Sequence, residues 1–169
     1  WRNPMAMIHL DGTFDIRKYL DGGSSEPHPC AYTLLSENEE YRVLASFDTE
    51  KVHLIHWPEQ HLTSADQDIR HVTKNNIPLG AFAAQKFLEH PEHIPRNWYD
   101  LKDEKEYTLP IFFDGTVFLH ATEGKIVIAL WKDRETDRWQ LTKWKRLCAR
   151  VRLGCKKRYH FPSAIAYFP

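Results

Sequence analysis

Basic side chains are concentrated at the C-terminal end of this sequence. From Arg138 onward there are nine basic residues and no acidic one. The preceding 137 residues hold 14 basic residues against all 23 acidic ones, so a net charge of −9 faces one of +9 in a chain that is neutral overall. Guanidinium and ammonium groups neutralise phosphates, and a segregation of charge on this scale therefore indicates an anionic partner.

Aromatic residues are interleaved with these bases. Aromatic rings stack on nucleobases, and together with basic neighbours they are typical of surfaces that bind single-stranded or structured nucleic acid. Between residues 146 and 153 apolar residues alternate with polar and basic ones, as on a strand with one buried and one charged face. We therefore predict a nucleic-acid-binding segment, called here the basic ribbon. It comprises Arg138, Trp139, Lys143, Trp144, Lys145, Arg146, Arg150, Arg152, Lys156, Lys157, Arg158 and Tyr159.

Two other interpretations of the basic ribbon remain open. Its charged face could lie across the acidic part of the chain, with the tryptophans in the core, and would then be neutralised internally. Alternatively, it could bind a protein partner or a second copy of the chain, because exposed Trp, Tyr and Arg dominate protein interfaces. Each of these interpretations describes a non-catalytic protein, and a binding module for nucleic acid or another polyanion is the function that we predict.

A histidine followed two positions later by threonine occurs three times, at residues 61–63, 71–73 and 120–122. The pattern resembles the paired motif of the two-histidine phosphoesterases, in which two such strands face one cleft. The resemblance implies that one histidine acts as general base and the other as general acid on a phosphodiester. The alternative function is thus a histidine-dependent phosphodiesterase. Its catalytic residues would be His61, Thr63, His120 and Thr122, with His71 as a substitute for His61.

Metal and cofactor motifs give no positive signal in the sequence. His53 and His56 belong to the densest group of histidines, yet on one strand they would point to opposite faces. The run from His90 to His93 is interrupted by proline and lacks the spacing of a helical zinc motif. No glycine-rich phosphate-binding loop or nucleophile elbow is present either. We therefore expect neither a metal site nor a cofactor.

The cysteines and the apolar runs bear on where the protein is found. Cys30, Cys148 and Cys155 are odd in number and lack paired spacing, which favours free thiols in a reducing cytosol. No apolar run reaches the length of about 20 residues that a membrane-spanning helix needs. These features predict a cytoplasmic protein without a membrane partner. The chain begins at Trp1 rather than at a methionine, so a targeting signal could have been removed before it.

Hydrophobic patterning predicts one α+β domain over residues 1–169, built mainly on an antiparallel sheet. The connector near residue 100 is the one candidate boundary, dividing the chain into an N-terminal β/α half (1–100) and a C-terminal β-sheet half (101–169). A principal helix is expected at about residues 78–90, with one or two short helices elsewhere. A small barrel-like sheet is one arrangement that the strands of the C-terminal half allow.

The C-terminal half is predicted to be organised around residues 107–153. Asp114-Gly115 is a favoured turn dipeptide, so residues 107–113 and 116–121 are expected to form a β-hairpin. The nearly continuous apolar run at 125–131 is expected to be the central strand. The C-terminal half is further expected to contain a charged turn at 132–137, one long bent strand or two short strands over 138–144 and 145–153, and an edge strand at 164–168. The N-terminal half is expected to begin with a short apolar run at 5–10 and to contain three strands, at 31–35, 41–47 and 52–57, and short helices at 13–20 and 65–72.

Overall fold

Two antiparallel-dominated sheets and two α-helices account for most of the chain that the computed structural model describes, namely residues 7–16, 19, 32–56, 76–103, 106, 108–145 and 162–167. The α+β class and the mainly antiparallel sheet are as predicted. The strands are β1 (Met7–His9), β2 (Tyr32–Glu37), β3 (Ser46–Asp48), β4 (Val52–His56), β5 (Asn76–Pro78), β6 (Ile111–His120), β7 (Gly124–Lys132), β8 (Trp139–Lys145) and β9 (Pro162–Tyr167). The α-helices are α1 (Glu39–Arg42) and α2 (Ala81–Glu89), and short 3-10 helices cover Thr49–Lys51, Pro91–His93 and Arg96–Trp98.

Strand β6 is the centre of the seven-stranded sheet. One edge of β6 pairs with β7 along its length, and the other edge is shared by β9 at its start and β2 towards its end. The small second sheet consists of β1 and β3. Strands from both sides of residue 100 therefore share the main sheet. The described strands do not close into a barrel, so the barrel-like arrangement is wrong.

The Asp114-Gly115 pair lies inside β6 and does not turn the chain, so the predicted hairpin is wrong. The β6–β7 register passes directly from Phe113 to Phe118 opposite two nearby residues of β7, which leaves 114–117 as a bulge. The Gly115 N–H donates to the Leu79 carbonyl (3.0 Å), and the Gly115 carbonyl accepts from the Asn38 N–H (2.7 Å). Because long-range partners hold this backbone extended, the local preference of Asp-Gly for a turn is overridden.

The hairpin of β7 follows the sequence pattern closely. Residues 121–123 form the turn that precedes β7, and Gly124 has the positive φ of 79° that favours glycine at such a position. Strand β7 pairs with β8 over seven residues, and a charged turn connects them at residues 133–138. In that turn Asp133 accepts hydrogen bonds from the Glu135 N–H (3.0 Å) and the Thr136 hydroxyl (2.8 Å). The predicted apolar strand at 125–131 and the predicted charged turn are confirmed, but β7 lies between β6 and β8 and is not the centre of the sheet.

Strand β9 is internal to the sheet and not at its edge, which corrects the predicted position of residues 164–168. All five residues of β4 pair with one edge of β9. The other edge pairs with β5 and, at Phe112↔Ser163, in parallel with β6. A strand at the end of the sequence can lie in the middle of a sheet, because pairing partners are chosen by tertiary packing and not by chain order.

Residues 41–47 were predicted to form one strand, and this is wrong for most of the segment. Helix α1 occupies its start, because Asn38 caps the helix by accepting from the Tyr41 N–H (3.0 Å), and two glutamates occupy the first turn. Tyr41 is buried, while Val43 is 79% exposed. The alternation of apolar residues at 41–47 is therefore not the pattern of a strand with one buried face. Only the three residues of β3 are extended.

The principal helix is confirmed, although it begins later than predicted. Pro78 ends β5, and Gly80 precedes the first helical residue, Ala81. Helix α2 packs against β6, β7 and β8 through a fully buried apolar face. The Phe87 ring lies 5.1 Å from Trp98 and 6.1 Å from Phe113. Burying such a ring contributes about 1.5–3 kcal/mol, so this aromatic group is a main element of the core.

The sheet buries both of its faces around β6 and β7. Side chains alternate along a strand, so Ile126 and Ile128 face α2 while Val127 and Ala129 face the opposite way. At the N-terminus, Ile16 and Tyr19 are helical, in agreement with the expected helix at 13–20, whereas the expected helix at 65–72 lies outside the described residues. None of the described helices has the length and apolarity to cross a membrane.

Candidate functional site

Two tryptophans of the basic ribbon are used for packing inside the protein. Trp139 is 8% exposed, and its ring meets Tyr99 edge-on at 5.3 Å. Trp144 lies on the opposite face of β8 and meets Phe112 edge-on at 5.8 Å. Edge-to-face geometry of this kind is a packing contact of aromatic cores. Trp139 is too buried for a nucleobase to stack on its ring. Trp144 is half-buried, and its ring contacts Phe112 of β6.

The charged residues of β8 differ in their surroundings. The Lys143 ammonium donates to the Glu123 carboxylate (2.7 Å) and to the Tyr32 hydroxyl (3.1 Å). The hydrogen bond that Lys143 donates to Glu123 raises the pKa of Lys143, and the one it donates to Tyr32 adds to the effect. Arg138, by contrast, is exposed at the start of the strand. Lys145 ends β8, and the rest of the ribbon lies outside the described residues, namely Arg146, Arg150, Arg152, Lys156, Lys157, Arg158 and Tyr159.

His120 is the last residue of β6 and contacts the turn that leads to β7. Its Nδ1 accepts hydrogen bonds from the Glu123 N–H (3.1 Å) and the Thr122 N–H (3.4 Å). An acceptor nitrogen has no proton, so the neutral ring carries its proton on Nε2. The Tyr32 ring packs against the imidazole at 4.8 Å. His120 therefore stabilises the turn with Nδ1, the atom that also lies 3.3 Å from the Thr122 hydroxyl.

The paired histidine arrangement needs a second imidazole beside His120. His61, Thr63 and His71 lie outside the described residues. At the one motif that is described, the spacing of His120 and Thr122 is explained by turn geometry: the threonine follows the strand end, and the backbone of the turn points at the ring. This arrangement does not favour a catalytic pair of strands facing a cleft.

A small cavity of about 180 Å³, which the sequence did not indicate, lies at the start of α2. Its walls come from the N-terminal segment, β2, α1, α2 and β6, so no local motif could have revealed it. The Glu37 carboxylate accepts from the Thr116 hydroxyl (3.2 Å), whose oxygen in turn accepts from the Ala81 N–H (3.0 Å). The apolar part of the wall comprises Leu10, Phe14, Leu34, Leu44, Phe82 and Phe118.

Tyr41 completes the polar end of this cavity. Its hydroxyl accepts from the Ala83 N–H (2.9 Å), and burial raises the pKa of Tyr41 far above its ordinary value. The phenol is therefore neutral at any physiological pH. Together, Tyr41 and Thr116 satisfy backbone donors in the first turn of α2, which would otherwise attract an anion. With these donors occupied and a carboxylate beside them, the cavity does not favour an anionic ligand.

Three side chains near the end of α2 have the chemistry of metal ligands. His90, Glu92 and His93 each offer one ligand atom, and these atoms lie within 4.8 Å of one another. The His90 Nδ1 is 3.3 Å and the His93 Nε2 is 3.9 Å from the same Glu92 oxygen. The pKa of Glu92 is lowered by its own backbone N–H and by the hydrogen bond from His90. Pro91 begins the 3-10 helix that groups them, which sequence reasoning took only as an interruption.

No match was found for this chain among protein-family models, curated proteins or solved structures.

Proposed function

We propose that this chain is a non-catalytic binding module for a polyanion, with nucleic acid as the first candidate. The observation that carries the proposal is the segregation of charge, with nine basic residues and no acidic one from Arg138 onward. Seven of these bases, from Lys145 to Arg158, fall within 14 residues of sequence. Such a density of positive charge binds phosphate backbones through release of counterions.

The pairing of the acidic side chains supports this proposal. Three carboxylates of the described part already have a lysine partner outside the basic ribbon, namely Glu89 with Lys86, Glu106 with Lys102 and Asp137 with Lys132. An acid that is paired within its own element or turn gains less from a ribbon arginine than an isolated acid would. These three carboxylates are thus not part of the neutralising surface that the internal interpretation requires, whereas Glu123 does neutralise one ribbon base, Lys143.

The packing of β8 changes which residues we assign to the partner. Trp139 and Trp144 contact Tyr99 and Phe112 within the fold, and Lys143 is paired with Glu123. We therefore assign these three to structure and propose that the charges beyond β8, together with Arg138, bind the polyanion. Tyr159 remains the aromatic residue proposed to stack on a base. Binding is then mainly electrostatic.

The test is fluorescence anisotropy with labelled single-stranded RNA, single-stranded DNA and duplex DNA over a series of salt concentrations. Affinity should fall steeply as the salt concentration rises. Removing two charges with Arg150→Gln and Arg152→Gln should reduce the slope of log affinity against log salt concentration by up to about 1.4 on single strands. A control variant, Lys51→Gln with Lys102→Gln, removes two charges elsewhere and should leave the slope unchanged. Absence of binding to all three probes at low salt would refute the proposal.

A second candidate function, self-assembly through β2, is favoured by exposed leucines. Leu35 and Leu119 are 44% and 43% exposed on neighbouring strands. Among the described strands β2 pairs only with β6, so its other edge offers backbone donors and acceptors. Two copies of β2 related by a two-fold axis would pair edge to edge and form a closed dimer. Light scattering after size exclusion should then give a dimer that Leu35→Lys converts to a monomer, and a monomeric wild type would exclude it.

A further inference from the structure

The end of α2 folds back in a way that places three ligand side chains together. His90 follows the helix and donates its N–H to the Lys86 carbonyl (2.9 Å). The 3-10 helix Pro91–His93 then begins, and the His93 N–H donates to the His90 carbonyl (3.0 Å). In 3-10 geometry the side chains at i and i+3 are eclipsed, so the rings of His90 and His93 fall on one side. Their centroids are 5.8 Å apart.

The donor atoms are close to the separations that one ion demands. Zinc binds imidazole nitrogen and carboxylate oxygen at about 2.0–2.2 Å, so two donors of one ion are never more than about 4.2 Å apart. The two separations from the Glu92 oxygen, 3.3 Å to His90 and 3.9 Å to His93, meet this limit. All three donors lie within 4.8 Å of one another, so side-chain rotations that move them by up to about 1.4 Å bring them to the separation of about 3.4 Å found in a tetrahedral zinc site.

We propose that His90, Glu92 and His93 form a binding site for a late first-row divalent cation, of which Zn²⁺ is the representative. Two imidazoles and one carboxylate are ligands of zinc and its neighbours, whereas Mg²⁺ and Ca²⁺ prefer sets made only of oxygen. The inference is independent of the polyanion-binding proposal, because it concerns residues far from the basic ribbon in sequence and uses none of its charges.

The site is accessible from solvent. The side chains of His90 and Glu92 are 53% and 64% exposed, and His93 is 16% exposed. Glu92 and His93 also line a cleft of about 570 Å³ next to Arg96. Three protein ligands leave at least one position on the ion for water or for a group of a second molecule. The proposed site is therefore of the open type and not a closed structural centre.

The test is isothermal titration of the tag-free full chain with ZnCl₂, and separately with MgCl₂. Because the chain has ten histidines, the informative quantity is the stoichiometry together with the affinity of each step. We expect His90→Ala/His93→Ala to abolish one equivalent of bound zinc, and Glu92→Gln to weaken that step by at least about tenfold. The exposed His9→Ala on β1 is the matched control and should keep it. Mg²⁺ should not bind at this step.

A second measurement removes the possibility that a variant simply fails to fold. His90 and Glu92 are largely exposed, whereas His93 is only 16% exposed, so without metal the circular dichroism spectra should be the same for the variants and the wild type, and only the variant that lacks His93 should lose some thermal stability. Zinc should raise the unfolding temperature of the wild type and of His9→Ala but not of the double variant, because only the folded state presents the site. An equal zinc stoichiometry in the double variant and the wild type would overturn the proposal.

Discussion

Replacing Gly115 with alanine tests the central claim about β6, that Asp114-Gly115 is a bulge clamped by distant backbone. An added Cβ would lie 2.2 Å from the Pro78 carbonyl oxygen, 2.8 Å from the Leu79 carbonyl carbon and 2.9 Å from the Gly80 nitrogen. All three atoms belong to backbone and cannot rotate away. Ordinary contact begins at 3.4 Å, so the two segments would have to separate by more than about 1 Å.

The expected cost follows from what such a separation breaks. Overpacking of a tight site costs about 1–3 kcal/mol. The two hydrogen bonds of Gly115, to Leu79 and from Asn38, contribute about 0.5–1.5 kcal/mol each. Gly115→Ala should thus lower the free energy of unfolding by about 2–6 kcal/mol, a large share of the total of about 5–15 kcal/mol for a domain. If Asp114 and Gly115 instead formed the two-residue turn of a hairpin, Gly115→Ala would lower the free energy of unfolding far less.

Urea unfolding followed by tryptophan fluorescence measures this loss. With a slope of about 2 kcal/mol per molar urea, a loss of 4 kcal/mol shifts the midpoint by about 2 M. Gly124→Ala is the matched control, because nothing lies within 4 Å of its added Cβ and only its positive φ is strained, at a cost of about 1–2 kcal/mol. A Gly115→Ala midpoint equal to or above that of Gly124→Ala would refute the clamped bulge.

Three further predictions concern single polar contacts. Tyr41→Phe should lower the free energy of unfolding in urea by about 0.5–1.5 kcal/mol, because it removes one of the two acceptors of the Ala83 N–H and leaves the Gly80 carbonyl at 3.1 Å. His120→Ala should cost about 1 kcal/mol by the same assay, while His120→Asn, whose side-chain oxygen can replace Nδ1, should recover most of it. The pKa of Lys143 is raised in the folded state, so its charge stabilises the fold at every pH below the pKa of Lys143 in the unfolded chain, and this stabilisation is lost as the pH rises through the folded-state pKa. Glu123→Gln removes the cause of the raised pKa and should therefore reduce the loss of thermal stability above about pH 10.

Each of these has an outcome that contradicts it. Equal unfolding curves for wild type and Tyr41→Phe would mean that the Gly80 carbonyl alone satisfies the Ala83 N–H. If His120→Asn is as unstable as His120→Ala, the ring is needed for its packing on Tyr32 and not for the turn. If wild type and Glu123→Gln lose the same thermal stability between pH 8 and pH 11, the pair of Lys143 and Glu123 contributes nothing to folding, as many exposed ion pairs do not.

Local sequence signals predicted the elements whose conformation depends on near neighbours. Strand β7 was expected from its unbroken apolar run, and Gly124 from the turn that precedes it. The charged turn before β8 is closed by hydrogen bonds to Asp133 from residues two and three positions later. Interactions of this kind are complete within a few residues, so the sequence pattern and the structure agree.

Errors arose where distant backbone decided the conformation. Asp-Gly favours a turn, but at residues 114–115 the contacts to Leu79 and Asn38 hold an extended bulge. Likewise, α1 was taken for a strand because Tyr41 begins an alternating pattern, whereas the cap at Asn38 starts a helix that buries this side chain against α2. In β6 a weak local preference lost to contacts that no short window of sequence contains, whereas the Asn38 cap of α1 is a local signal that the strand prediction missed.

For the candidate sites, too, some properties follow from the sequence and others only from the tertiary structure. The sequence by itself determined the segregation of charge, the neutral total and the presence of two histidines and a glutamate at positions 90–93. Only the tertiary structure decided that Trp139 and Trp144 pack within the fold, that Lys143 is paired, and that β9 lies inside the sheet. Charge is a property of residue types, but exposure and pairing depend on which surfaces the folded chain brings into contact, and that is settled by packing across the whole sheet.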